Sequence, residues 1–323
     1  MEYAELADTG LSLSRIGFGC WTISGHGWGP VDDADSIAAI HRALDLGVTF
    51  FDTADVYGLG HSEEILAAGL GERRKDVVIA TKFGLNWDSQ GTISRDISPT
   101  RVVEALEGSL RRLRLDCLPL FQIHWPDGET PIGETVDALQ RCQQAGKVRH
   151  IGCCNFPLEL IQEARRSGNI VSIQAAYNLL EKEIEASLLP YCEESGMAVL
   201  PYSPLAQGLL SGKYGTDSRF GDDDIRSRSR YFQPDRSGAT RQVVQRLAQI
   251  AERHGKTPAQ VALRWVLDRA GVTSAITGIR TVSQIEENVG ATDWRLSPED
   301  RESLTAAWSP GVERSVPLTR AWS

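Results

Sequence analysis

Val48–Gly58 reads VTFFDTADVYG, and this stretch decides the fold. Val48, Phe50 and Phe51 form a short run of β-branched and aromatic residues, the composition of a buried strand. Asp52 follows at once, Tyr57 comes soon after, and the next apolar run, VVIATK, ends in Lys82. A carboxylate, a phenol and an ammonium just past buried strands are each costly to desolvate alone. Brought together they offset one another.

Outward from this stretch, apolar segments of two kinds alternate. RIGFGCW, VTFFDT, VVIATKF, CLPLFQIHW, VRHIGCC, IVSIQAAYN, MAVLPYS and TSAITG read as strands. Between them, apolar residues recur at helical spacing. Asp35–Leu46 is one such helix, a second is opened by Ser62, and Thr100–Leu113 presents Val103, Leu106, Leu110 and Leu113 on one face. ETVDALQRCQQAG, LELIQEARRSG, EASLLPYCEESG, TPAQVALRWVLDRAG and SQIEENVGA complete the set, with Thr257 and Pro258 as N-cap and first helical residue. Eight strands each followed by a helix predict an α/β fold, a (β/α)8 TIM barrel, as one domain over residues 1–323. YAELADTGLSLS reads as a hairpin closing the barrel floor. A doubly wound sheet would want G-x-G-x-x-G after the first strand, whereas Gly17 and Gly19 are followed by Thr22. A long loop, about 205–238, follows strand 7; the part from Gly215 to Gly238 has several arginines and no period, and reads equally as a surface loop or as a lid.

Composition narrows the partners. The chain has 323 residues and a net charge of −9, which argues against a nucleic-acid or anionic-membrane surface. No apolar run approaches the roughly 18 residues that span a bilayer, and MEYAEL is acidic where a signal peptide is basic. A cytoplasmic protein is expected. The six cysteines include no C-x-x-C and no zinc-finger spacing, so metal binding is not expected.

In a barrel, chemistry collects where strands end, and Asp52, Tyr57, Lys82 and His124 all fall there. Each alone has a structural explanation: a turn cap, a packing phenol, a snorkelling lysine, a core histidine. Four on one rim point to a site. With FDTADVYG, ATKFG, LFQIHWPD, IGCCNF, QAAYNLL, PYSPLAQGLLSGKY and GIRTVSQIEENV, the chain resembles the aldo-keto reductase family over nearly its whole length. Within it, the chain is most similar to bacterial NADPH-dependent oxidoreductases and to potassium-channel β subunits.

The resemblance implies reduction of a small aldehyde or ketone with NADPH (NADP+), NADH being possible, without a metal. It makes Asp52, Tyr57, Lys82 and His124 the catalytic residues. The physics agrees: hydride delivered to a carbonyl carbon leaves an oxygen that must be protonated, and tyrosine, at about 10, is a weak acid unaided. Lys82 is expected to lower the Tyr57 pKa, since a charge about 4 Å away contributes on the order of 4 kcal/mol at an effective dielectric near 20 before desolvation. Asp52 keeps Lys82 charged, and His124 orients the carbonyl.

The resemblance also assigns cofactor residues. Asn155, Gln174 and Cys154, the last where the family has serine, face the nicotinamide carboxamide, and Tyr202 stacks on the ring. Ser203, Pro204, Leu205, Gln207 and Gly208 cradle the pyrophosphate. Arg280 meets the adenine ribose, Glu287 and Asn288 the adenine, and Gly19, Trp21, Lys213, Gly278, Gln284 and the lid residue Arg226 complete the set. Trp21, Trp28, Trp87 and Trp125 are expected to wall an aromatic substrate pocket. A cofactor-holding regulatory subunit is the alternative function. Such subunits are expected to lack the histidine that His124 supplies here.

Overall fold

The computed structural model describes residues 1–214, 218–232 and 237–308, the side chains of 237–239 excepted. β1 (Tyr3–Glu5) and β2 (Ser12–Ser14) form an antiparallel hairpin. The eight expected strands are β3 (Ile16–Gly19), β4 (Phe50–Asp52), β5 (Val78–Phe83), β8 (Leu118–Ile123), β9 (Val148–Cys154), β10 (Ile170–Ala176), β11 (Ala198–Tyr202) and β12 (Ala275–Gly278). They close in chain order into one parallel barrel, β12 pairing with β3. A second hairpin, β6 (Leu85–Trp87) with β7 (Ile93–Arg95), rises from the end of β5.

Side chains alternate between the two barrel faces, as the pleat requires. Phe50, Val78, Ala80, Leu120, Val171, Ala198, Leu200 and Ile276 form an inner cluster with Leu6, Leu11 and Leu13, so the first hairpin does close the floor. Phe51, Ile79, Phe121, Ile151, Ile173 and Val199 instead join the layer under the helices. Two residues beyond Phe50, Ala80 and Leu120, the same inward rows turn polar as Asp52, Lys82 and Gln122.

The outer ring comprises α1 (Asp33–Asp45), α2 (His61–Leu70), α3 (Pro99–Leu113), α4 (Ile132–Gln144), α5 (Leu158–Ser167), α6 (Leu188–Ser195), α7 (Ser237–His254), α8 (Pro258–Leu267), α9 (Val282–Val289) and α10 (Pro298–Ala306). Thr257 caps α8 reciprocally: its hydroxyl accepts from the Gln260 amide at 3.3 Å while the Gln260 side chain accepts from the Thr257 N–H at 3.0 Å. Among the described residues no helix is long and apolar enough to cross a membrane.

The structure corrects several local expectations. Ser62 does not open α2; the helix begins at His61 after a left-handed Gly60, and the Ser62 hydroxyl instead donates to the Cys20 carbonyl at 2.9 Å. On α3 the buried row is Val102, Leu106, Leu110 and Leu113, leaving Val103 48% exposed. EASLLPYCEESG is not one helix: its first residue ends a 3₁₀ turn, Glu183–Glu185, and only Leu188–Ser195 is helical, as the short α6. After β11, the expected loop contains 3₁₀ turns at Ala206–Ser211, Ile225–Arg228 and Arg230–Phe232, and its last residues already belong to α7. Residues 215–217 and 233–236 of that loop lie outside the described residues.

Candidate active site

Lys82 is the centre of the site. Its ammonium donates three hydrogen bonds: to Asp52 Oδ2 at 2.7 Å, to the Thr53 carbonyl at 2.8 Å and to Tyr57 Oη at 3.3 Å. The register explains the meeting, since Asp52 lies opposite Ala80 and the next inward position on β5 is Lys82. The other Asp52 oxygen accepts from the side-chain amides of Gln122, at 3.5 Å, and Gln174. Gly58, Leu59 and Gly60 all have positive φ, so the chain turns back sharply after Tyr57. A Cβ on Gly58 would collide with the Ser24 carbonyl, so this turn needs glycine there. His124, just beyond β8, donates its N–H to the Phe83 carbonyl at 2.7 Å and sets its ring edge-on to Tyr57, with centroids 5.7 Å apart. Trp21 stacks on Tyr57, with ring centroids 5.8 Å apart.

Burial dominates the electrostatics. It raises Asp52, although the charge and hydrogen bond of Lys82 and the two glutamine amides oppose it. It would lower Lys82, but Asp52 and Tyr57 together hold the ammonium well above its ordinary range. Burial and then the nearby Lys82 charge push His124 well below its usual value, so its imidazole is neutral. Its Nδ1 has no hydrogen-bond partner among the described residues. Tyr57 departs from the sequence expectation. Its phenol is pushed up to about 12, because burial, helped by the Asp52 charge, outweighs the lowering by Lys82. The ammonium lies closer to Asp52 than to Tyr57, which limits what it does for the phenol.

A cavity of about 1200 Å³ opens over the C-terminal ends of the strands. Asp52, Tyr57, His124, Cys154, Asn155, Gln174 and Tyr202 face it, while Lys82 lies beneath its surface. A family model described as "Aldo/keto reductase family" matches residues 15–309. The chain belongs to the aldo-keto reductase family. It is 40% identical to the aldo-keto reductase YhdN of Bacillus subtilis, over 99% of each chain. It is 33% identical to the NADH-specific methylglyoxal reductase of Escherichia coli, over 97% of this chain and all of that one. Among solved structures, the glycerol dehydrogenase AKR11B4 of Gluconobacter oxydans superposes with a TM-score of 0.88, at 37% identity over 94% of each chain.

Every expected cofactor residue of this aldo-keto reductase faces the cavity: Gly19, Trp21, Ser203, Pro204, Leu205, Gln207, Gly208, Lys213, Arg226, Gly278, Arg280, Gln284, Glu287 and Asn288 join those named above. Their partners qualify the expectation. Asn155, at positive φ, donates to the His124 carbonyl at 3.0 Å and accepts from the Tyr202 hydroxyl at 2.9 Å. Gln174 gives its amide to Asp52. Arg280 donates to the Trp28 carbonyl at 2.9 Å and to that of Pro30 at 2.5 Å, Lys213 pairs with Glu287 at 2.8 Å, and Arg226 pairs with Asp224 at 2.6 Å. Burial raises the Cys154 thiol and keeps it protonated.

Trp21, Trp28 and Trp125 line the cavity, but Trp87 does not. Its ring instead packs on the Arg101 guanidinium, 5.3 Å from the centroid, because strand β6 turns it toward α3. Sequence reasoning missed Gln122, whose signal was its position two residues before His124 on the same inward row. It also missed Asp224, Tyr214 and Phe220, which surround Arg226 and carry no periodic signal.

Proposed function

We propose that this chain reduces an aldehyde or ketone to an alcohol with NADPH, Tyr57 supplying the proton. The observation that carries the reading is one ammonium, Lys82 Nζ, bonded at once to the Asp52 carboxylate and the Tyr57 hydroxyl beside a neutral His124. Bound nicotinamide cofactor supplies the hydride. At about 12, Tyr57 Oη keeps its proton at neutral pH yet is a stronger acid than an alcohol, which like water lies near 15.7. Proton transfer to a developing alkoxide is therefore downhill, and Lys82 stabilises the phenolate that remains. His124 donates a ring N–H to the carbonyl oxygen and orients it.

A cavity of about 1200 Å³ supports a ligand of cofactor size. Cys154, Asn155, Gln174 and Tyr202 would hold the nicotinamide, and Ser203–Gly208 with Lys213 the pyrophosphate. Arg280, helped by Arg226, suits a ribose 2′-phosphate in charge and planar geometry, which supports NADPH over NADH. Gly19, Gly278, Gln284, Glu287 and Asn288 frame the adenosine end. Trp21, Trp28 and Trp125 favour a carbonyl carrying apolar or aromatic groups. The proposal includes a cytoplasmic setting, in which the six unpaired cysteines stay reduced. The test is NADPH oxidation over a panel of aldehydes, ketones and keto-sugars, with Tyr57→Phe as the control. Tight NADPH binding without oxidation by any carbonyl would overturn the reading in favour of a cofactor-holding regulatory subunit.

A further inference from the structure

One buried ion pair beside the site takes no part in the chemistry above. Asp55 lies between Asp52 and Tyr57 in the same turn and is fully buried. Its Oδ2 accepts from Arg101 Nη2 at 2.6 Å, its N–H donates to the Lys82 carbonyl at 3.3 Å, and its Oδ1 has no hydrogen-bond partner among the described residues. Arg101 stands in the first turn of α3. The same Nη2 reaches the Leu85 carbonyl at 3.5 Å, and the guanidinium lies against the Trp87 ring. Leu85 and Trp87 are the ends of β6, and across that hairpin Gly91, Thr92 and Ile93 line the cavity beside Trp125. One guanidinium thus holds the Tyr57 turn on one side and the hairpin that walls the cavity on the other.

We propose that Asp55 and Arg101 are positioning residues that hold the β6–β7 hairpin against the Tyr57 turn and so set the affinity for the carbonyl substrate, the hold loosening when Asp55 takes up a proton. The proposal rests on the reading that a carbonyl is reduced at Tyr57. The charged groups around Asp55 support it. Arg101 and Arg112 come from α3, Glu63 from α2, and Lys82 from β5. Lys82 is committed to Asp52, and Arg112 to Glu63 at 2.6 Å, while Glu63 also accepts from the Thr81 hydroxyl at 2.5 Å. Arg101 is therefore the charged group bonded to Asp55, and the Arg112 charge adds to it. Burial, with Glu63 adding to it against Arg101, pushes the Asp55 carboxyl up to about 7. Its charge then falls from about 90% to about 10% between roughly pH 8 and pH 6.

The experiment measures KM and kcat for 4-nitrobenzaldehyde, which has no group titrating in this range, with saturating NADPH at about pH 8 and about pH 6. In the native protein KM is expected to rise about fivefold or more on acidification, with kcat changing by about twofold or less. Asp55→Asn, fixed in the neutral form, should show the high KM at both pH values, as should Arg101→Met, whereas Arg101→Lys should keep part of the native behaviour. A pH dependence that arises elsewhere in the cavity would survive in Asp55→Asn and so be told apart. A native KM that is flat across the range overturns the proposal, and so does an Asp55→Asn protein that keeps the native KM and its pH dependence. If Asp55→Asn fails to fold, Arg101→Lys decides: a KM and a pH dependence identical to those of the native protein would overturn the proposal. A fully active Tyr57→Phe would instead remove the reading on which the proposal stands.

Discussion

Tyr57 holds its proton in a site where burial and the Asp52 charge outweigh Lys82, so removing the hydroxyl should remove the acid and little else. Tyr57→Phe keeps the ring that stacks on Trp21 and meets His124 edge-on, and carbonyl reduction should fall by about 10²-fold or more. Cofactor affinity, read by quenching of tryptophan fluorescence, should barely move; a variant that reduces a good substrate near the native rate would end the proposed role. Lys82→Met has a second consequence. It strips Asp52 of its counter-charge and leaves only the Gln122 and Gln174 amides on a buried carboxylate. Urea denaturation should show a loss of about 3 kcal/mol alongside the lost activity. At this scale the four rim residues were legible because each follows directly on a strand or its turn. The direction of the Tyr57 shift was not, because it depends on how deeply the turn buries the phenol and on how Lys82 is shared with Asp52.

Between residues and whole molecule, loops tie elements together across the cavity mouth. Arg280 follows β12 and precedes α9, yet its side chain grips the Trp28 and Pro30 carbonyls of the loop leading into α1. Trp28 also bridges to Asp224, and the Gly27 carbonyl accepts from the Ile225 N–H at 2.9 Å. Arg280→Ala should therefore do two things. If Arg280 meets a 2′-phosphate as proposed, the substitution should cut the preference for NADPH over NADH by about tenfold or more, and it should loosen the loop carrying Trp28. Dissociation constants for both cofactors check the first effect, and an unchanged ratio would remove Arg280 from the 2′-phosphate site. The strands were the legible elements, since short apolar runs rich in β-branched and aromatic residues alternate along the chain with segments of helical spacing. The register of α3 was not fully legible: Val102 and Val103 are adjacent, both apolar, and only packing in the core selects Val102. α7 was not read from the sequence, although Val243, Leu247, Ile250 and Ala251 recur at helical spacing and are all buried, because the Arg-rich segment before it gives no boundary.

On the scale of the whole molecule, the two ends of the described chain are stitched by charge. Glu2, just before the floor hairpin, accepts from Arg295 Nη1 at 2.7 and 3.0 Å, from the Asp293 N–H at 2.9 Å and from Arg264 Nη1 at 3.3 Å. Arg264 is 1% exposed and also pairs with Asp268 at 2.9 Å, so Glu2 supplies part of the compensation of a buried guanidinium on α8. In the sequence, MEYAEL shows only that the start is acidic; the partners lie near the far end of the chain and are visible only once the barrel closes. Burial alone would raise Glu2, but the Arg295 hydrogen bond, the Asp293 N–H and the two guanidinium charges bring it down to about 2 from an ordinary 4.5. The folded value lies below the unfolded one. Glu2 therefore contributes stability in full above about pH 4.5 and loses it as the pH falls toward about 2. Glu2→Gln should be less stable than the native chain by about 1 kcal/mol at neutral pH, a figure kept low because the group is partly exposed and screened. The gap between the two thermal midpoints should close as the pH falls through this window, and should narrow in high salt at neutral pH. A gap that stays constant from neutral pH down to about pH 3 would show that Glu2 acts through shape rather than charge.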